Sequence, residues 1–208
     1  MKSIFNFIVK PLNERYDNEV KIGDISFTVN TKIDDFINIS RNAIVVSTPL
    51  AYETSIKIGD EIIVHHNIFR RWYDIKGKER NSAKYFKDNL YFAQPDQVFL
   101  YKKDSKWISF NDSCFVQPIK NNNKFKTDKT KKLIGILKIG NSSLKALGIN
   151  PGDIVGFRPK REWEFALDGE LLYCMKSNDI VIKYGHKENE IEYNPSWASS
   201  RRGVDQSS

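Results

Sequence analysis

The chain has 208 residues, 33 Lys and Arg against 26 Asp and Glu, a formal charge of +7, and 40% hydrophobic and 12% aromatic content. These values describe a folded protein with a basic surface, which keeps an acidic partner such as nucleic acid open and excludes a histone-like coat. No apolar run approaches the roughly 18 to 20 residues of a membrane helix, and Met1 to Asn6 turns polar too soon for a secretion signal, so a soluble, cytoplasmic protein without a membrane partner is expected.

Residues 4–12 read as a first strand with Phe5, Phe7 and Val9 on one side, closed by Pro11, which cannot donate to a central ladder. Residues 13–24 read as a polar turn. Ile25-Ser26-Phe27-Thr28-Val29-Asn30 alternates apolar and small polar residues, and residues 31–41 are irregular. Ala43 to Ser47 is a further strand. In Ile56-Lys57-Ile58-Gly59-Asp60-Glu61-Ile62-Ile63-Val64, an apolar residue stands two places before a Gly-Asp turn, and the apolar run behind it has the length of a buried strand. Ile68 to Tyr73 is an aromatic and basic strand end, residues 74–88 form a charged hairpin or loop, and Leu90 to Tyr101 is a strand pair broken at Pro95-Asp96.

The second half opens with a small hairpin around Trp107 to Phe110, then the strand Cys114 to Ile119 with Pro118 near its end. Residues 120–132 are lysine-rich, with Asp128 the sole acid, and read as an exposed mobile loop. Ile134 to Ile139 is a strand and Asn141 to Gly148 holds a helical turn. Gly152-Asp153 introduces Ile154-Val155-Gly156-Phe157. Trp163 to Leu167 and Leu171 to Tyr184 flank Asp168-Gly169, the strongest hairpin signal in the chain. Beyond Gly185 the chain is polar apart from Tyr193 to Trp197, and Ser199 to Ser208 is expected to be disordered.

Three markers recur in one order. Phe7-Ile8-Val9-Lys10-Pro11-Leu12 answers to Cys114-Phe115-Val116-Gln117-Pro118-Ile119, Gly59-Asp60 to Gly152-Asp153, and Asn89 to Leu100 to Glu170 to Ile182. The repeat predicts an all-β protein of two small antiparallel modules, residues 1–103 and 104–186, with a polar tail at 187–208.

The residues offer little chemistry. His65, His66 and His186 are the only histidines, and alternation would point the doublet to opposite faces at a strand end, away from any companion ligand. Asp60 and Asp153 read as turn aspartates bonding their own backbone. Cys114 and Cys174 read as small buried hydrophobes without a disulfide. No catalytic residue, metal or cofactor is expected, and the protein is not read as an enzyme. Phe69-Arg70-Arg71-Trp72-Tyr73 fits either stacking on single-stranded nucleic acid or an amphipathic hairpin facing solvent or a neighbouring subunit, with Arg158 to Trp163 as its echo.

A first strand ending Pro11-Leu12-Asn13-Glu14-Arg15, a long irregular loop, a central Ile56 to Val64 and a closing strand pair together resemble the GroES family of co-chaperonins, the lids of chaperonin chambers. The resemblance covers most of residues 4–101 and, more faintly, 112–184. It implies two tandem GroES-like small β-barrels, with a GroEL-like chaperonin as partner and a homo-oligomeric ring as the assembly. It also implies a mobile loop over residues 20–41 that docks on the chaperonin through Ile25, Ser26 and Phe27, which follow Gly23-Asp24 where the family has Gly-Gly; Ser26 departs from the family's all-apolar tripeptide. The plain alternative is that Ile25 to Asn30 is an ordinary edge strand. In the second copy Phe125 stands alone among polar residues, so that loop is expected not to dock. Ring contacts are expected at exposed strand edges formed by Phe5, Phe7 and Val9 in the first strand and Val98 and Leu100 in the last. A diverged, duplicated lid of unusual lineage, such as a viral one, would account for the departures. The rival readings are a basic β-barrel binding nucleic acid and a structural component of a viral assembly.

Overall fold

The computed structural model describes residues 2–16, 19–22, 25–28, 39–121, 128–186 and 190–199, and for 19–22, 25–28 and 186 the backbone alone. Two compact units meet in sequence between Trp107 and Ile108. The first contains β1 (Phe7–Pro11), β2 (Glu19–Ile22), β3 (Ile25–Thr28), β4 (Asn42–Ser47), β5 (Glu61–Val64), β6 (Arg71–Tyr73), β7 (Glu79–Asn81), β8 (Tyr85–Lys87), β9 (Leu90–Ala93) and β10 (Val98–Lys103), with the division falling inside β11 (Lys106–Ser109). The second contains β12 (Ser113–Lys120), β13 (Thr130–Ile139), the short helix α1 (Ser142–Ala146), β14 (Asp153–Phe157), β15 (Trp163–Leu167), β16 (Glu170–Lys176), β17 (Ile180–His186) and α2 (Ser196–Ser199). The protein is predominantly β-sheet, with little helix.

The first unit's main sheet runs β8-β9-β1-β4-β5-β10-β11, and the second unit's runs β15-β16-β12-β13-β14-β17. Six strands therefore follow one order in both, and β11 is an addition. Register repeats as well as order. Val9 lies opposite Val45 and Tyr91, as Val116 lies opposite Leu137 and Tyr173. The ladder slips between Ile8 and Val9 in one unit and between Phe115 and Val116 in the other. Such bulges re-aim a strand locally, and finding one at the same step twice means the two sheets bend alike there. Opposite the strand prolines both units use the smallest residues, Ala43 facing Pro11 and Gly135 facing Pro118. Among the described residues neither sheet closes into a hydrogen-bonded barrel, since each runs from one end strand to another.

Local signals explain much of this. Asp88-Asn89, Asp104-Ser105 and Asp168-Gly169 all have positive φ at both positions, the geometry whose twist matches a two-residue hairpin. α1 forms where a helical turn is expected: Asn141 caps it, its side chain accepting from the Leu144 N–H at 3.1 Å, and Gly148 ends it at φ 73. The helix exists to place Leu144, which closes a core of Cys114, Val116, Leu137, Val155, Phe157 and Met175. Gly135 has no room for a side chain, because a Cβ there would stand 2.3 Å from Val116 Cγ1 and 2.7 Å from the Gln117 carbonyl.

The expected strand edges are not edges. Phe7 and Val9 belong to β1, which has β4 on one side and β9 on the other, and Val98 and Leu100 belong to β10, flanked by β5 and β11. All four side chains are buried in the core. Apolar alternation identified the strands but says nothing about neighbours, and a late strand, β9, returns to cover the first one. Phe5 lies ahead of β1 and is exposed.

Among the described residues no helix is long and apolar enough to cross a membrane.

Candidate functional site

The first unit sends out a ribbon. β2 and β3 pair antiparallel, with Val20 opposite Phe27, Lys21 opposite Ser26 and Ile22 opposite Ile25, and they form a sheet of their own. The backbone of Ile25, Ser26 and Phe27 is therefore extended without belonging to the main sheet, unlike an ordinary edge strand of it. Their side chains lie outside the described residues, as do Gly23, Asp24, Val29, Asn30 and residues 31–38 of the expected mobile loop. At the ribbon's root the chain is pinched: Tyr16 and Ile39, both buried, form an isolated bridge, and Ser40 N–H donates to the Arg15 carbonyl at 3.0 Å.

Two arginines fix that root. Arg15 donates through Nε and Nη2 to the Phe69 carbonyl at 3.2 and 2.9 Å and through Nη1 to Asn81 Oδ1 at 2.8 Å, with its guanidinium 5.3 Å above the Tyr91 ring. Burial draws the pKa of Arg15 below its ordinary value. Arg71 lies 4.3 Å over the Tyr16 ring, its own N–H donates to Tyr16 Oη at 2.7 Å, and Glu79 stands 3.5 Å from its Nη1. The basic and aromatic stretch is thus divided in its labour. Phe69 is core, packed edge-on against Tyr91, and Arg71 is a strut, while Trp72 and Tyr73 point outward on the β6–β7 hairpin, near exposed Ile75. Sequence reasoning missed that Arg15 and Arg71 serve the ribbon, because they are separated by more than fifty residues; the Arg after Pro-Leu was the only local hint.

The paired aspartates do the same structural task twice. Asp60 Oδ2 accepts from Lys57 N–H at 2.7 Å, and Asp153 Oδ2 from Asn150 N–H at 2.8 Å. Gly59 N–H reaches the Val45 carbonyl and Gly152 N–H the Leu137 carbonyl, each at 2.8 Å, with φ at +92 and +95. That backbone needs glycine.

His65 and His66 do not diverge. A 3-10 turn begins at His66, so alternation ends there and the rings stack with centroids 4.3 Å apart, His65 Nδ1 accepting from Asn67 N–H. Burial, then the neighbouring His65, Arg41 and Arg70, lower the pKa of His66 to about 4. Among the described residues no group of three or more His, Cys, Asp or Glu is placed to hold a metal ion. Cys114 and Cys174 are buried thiols outside any disulfide, and their alternation along β12 and β16 sends them to opposite faces, since it is Phe115 that lies across from Cys174. Phe125 lies outside the described residues, as does the stretch 122–127 around it.

The last strands of the two sheets differ. β10 carries β11 on its outer side and is buried from Val98 to Tyr101, whereas β17 ends its sheet with exposed apolar side chains. No family model matches this chain, and no curated protein matches it in sequence.

Proposed function

We propose that this protein is a tandem GroES-like co-chaperonin: a ring-forming lid that caps a chaperonin chamber, docks through the β2–β3 ribbon and assists folding without catalysis. The observation that carries the reading is the pair of units sharing six strands in one order around two Gly-Asp turns, with the ribbon emerging between the first and second core strands of the first unit. That is the place where the resembled family carries its docking loop, and Ile25 and Phe27 lie there. A segment that orders on binding gives up affinity for each copy, and a ring presenting several copies recovers it through effective concentration.

The test is ATP-dependent binding to a chaperonin by the wild type and by the double variant Ile25→Ala, Phe27→Ala. Each truncation removes about 1.5 to 3 kcal/mol of burial where the side chain enters an apolar groove, and the loss multiplies over the engaged copies. The variant is expected to lose binding while keeping its fold. A variant that unfolds places these side chains in the core and ends the docking assignment; a wild type that ignores chaperonins ends the reading.

Exposed Trp72 and Tyr73, with Arg80 and Lys78 on the same hairpin, favour a second reading, single-stranded nucleic-acid binding. It predicts oligonucleotide affinity that falls steeply with salt and that Trp72→Ala weakens by about 1 to 3 kcal/mol.

A further inference from the structure

The matched core strands β1 and β12 end differently. The ladder between β12 and β16 stops at Val116 and Tyr173, and beyond it residues 190–194 lie along the open side of β12. Lys120 N–H donates to the Ile191 carbonyl at 2.7 Å, Tyr193 N–H donates to the Pro118 carbonyl at 2.8 Å, and Glu192 bridges Ile119. Asn194 closes this seat from its other wall, its Oδ1 accepting from Leu171 N–H at 3.0 Å and its Nδ2 donating to the Gly169 carbonyl at 2.8 Å. Two lysines of β13 hold the acids of the segment, Lys131 at 2.6 Å from Glu190 and Lys138 at 3.2 Å from Glu192.

The first unit repeats the seat and leaves it empty. The ladder between β1 and β9 stops at the matching pair, Val9 and Tyr91. Leu12 N–H donates to the Asn42 carbonyl on the β4 side, so strand alternation turns the Pro11 carbonyl and the Asn13 N–H the other way, as the Pro118 carbonyl and the Lys120 N–H turn toward residues 191–193. Among the described residues nothing meets that carbonyl or that N–H. Exposure follows the same difference. Gln117 and Ile119 are 1% and 0% exposed, whereas Lys10 and Leu12, which hold their positions in β1 and just past it, are exposed and half-buried. Lys10 forms no ion pair among the described residues.

We infer that the first unit binds an extended segment of a partner protein along residues 10–13, by strand addition, as β12 binds residues 190–194. The Pro11 carbonyl and the Asn13 N–H supply the backbone bonds. The filled seat states the chemistry of the occupant: an acid between two apolar residues, as in Ile191-Glu192-Tyr193. Opposed residues share a face, so the acid that faces Leu12 reaches Lys10 on the diagonal, while its apolar neighbours turn to the face of buried Pro11. This contact stands on the duplication and is independent of the lid reading.

The probe is a synthetic peptide of residues 190–199, titrated into the isotope-labelled full chain and followed by amide chemical shifts. Saturable shifts are expected at Lys10, Leu12, Asn13 and Glu14, with slower hydrogen exchange at Asn13. Lys10→Gln, which installs the residue of the second unit at an exposed site, should weaken binding about two- to fivefold. A peptide with Gln for both Glu should lose as much on wild type and nothing further on Lys10→Gln, the mark of a direct pair. Asn13→Pro deletes the N–H and should abolish the shifts with the thermal midpoint unchanged; if that variant does not fold, the Lys10 cycle decides alone. Absence of saturable shifts at residues 10–14 overturns the proposal. So do shifts confined to residues 118–120 and 190–194, which would mean that the peptide only exchanges with the segment it copies, or a cycle without coupling between Lys10 and the acids.

Discussion

The two units share six strands in one order and part company at the connections. Between its first two core strands the first unit makes the excursion rooted at Tyr16 and Ile39, where the second runs from Lys120 to Thr130. Between the next two, the second unit inserts α1 and buries Leu144, where the first has a loop. Ahead of β9 the first unit builds the hairpin β6–β7 and then β8, while the second has β15 alone; after the last core strand the first adds β11, and among the described residues the second adds nothing to the sheet. The difference teaches where such a sheet tolerates elaboration: register is held by buried pairs such as Val9 with Val45 and Val116 with Leu137, so the loops between them are open to change.

The comparison can be broken most severely at Phe69, which is fully buried against Tyr91 and whose carbonyl receives Arg15. Phe69→Ala is expected to destabilise the first unit by about 3 to 5 kcal/mol. Hydrogen exchange should rise across β1 and β9, and the ribbon root should lose protection with them. The next largest effect tests the matched small residues. Gly135→Ala drives a Cβ into Val116 and the Gln117 carbonyl and should cost the second unit about 3 kcal/mol, whereas the mirror change Ala43→Gly should cost the first about 1 kcal/mol. Denaturant midpoints with equal m-values would check both.

A smaller effect separates the two Gly-Asp turns. Lys183 Nζ lies 2.9 Å from the buried Asp153 carboxylate, and the strand position that matches it in β10 is Tyr101. Because Lys183 is partly exposed, Lys183→Met should cost about 1 kcal/mol rather than the full value of a broken buried pair. Asp60→Asn and Asp153→Asn should then differ in salt sensitivity, the second being the greater. The smallest effect is that of pH. His66 has its folded pKa near 4 against 6.5 in the unfolded chain, so the native state favours the neutral ring. Its contribution is present above about pH 6.5 and is lost as pH falls toward 4, amounting to about 1 kcal/mol after allowance for solvent. Urea titrations should show wild type losing about 1 kcal/mol relative to His66→Phe between pH 6.5 and 4, since the variant has no proton to gain there.

The sequence makes the strands, the hairpin at Asp168-Gly169, the α1 turn and the internal repeat legible, because each depends on residues close together in the chain. It does not make neighbours legible. β1 looks like a rim strand until β9 comes back beside it, and no local pattern announces that return. The ribbon root was hidden for the same reason, Arg15 meeting Phe69 and Asn81 across a long stretch of chain. His65 and His66 were misplaced because alternation was carried two residues past Val64, the end of β5.

Both cysteines lie in the second unit. Cys114 is buried, its Sγ donates to the Met175 carbonyl, and desolvation pushes its thiol pKa up to about 12; Cys174 is buried on the opposite face of the same sheet. Neither is a ready nucleophile toward a labelling reagent while that sheet is intact. The molecule therefore carries its own reporter: thiol modification proceeds at the rate at which β12 and β16 open, and the first unit, which has no cysteine, stays silent. A maleimide time course on unmodified protein reads the opening of one half alone, and any cysteine introduced on the surface labels without competition.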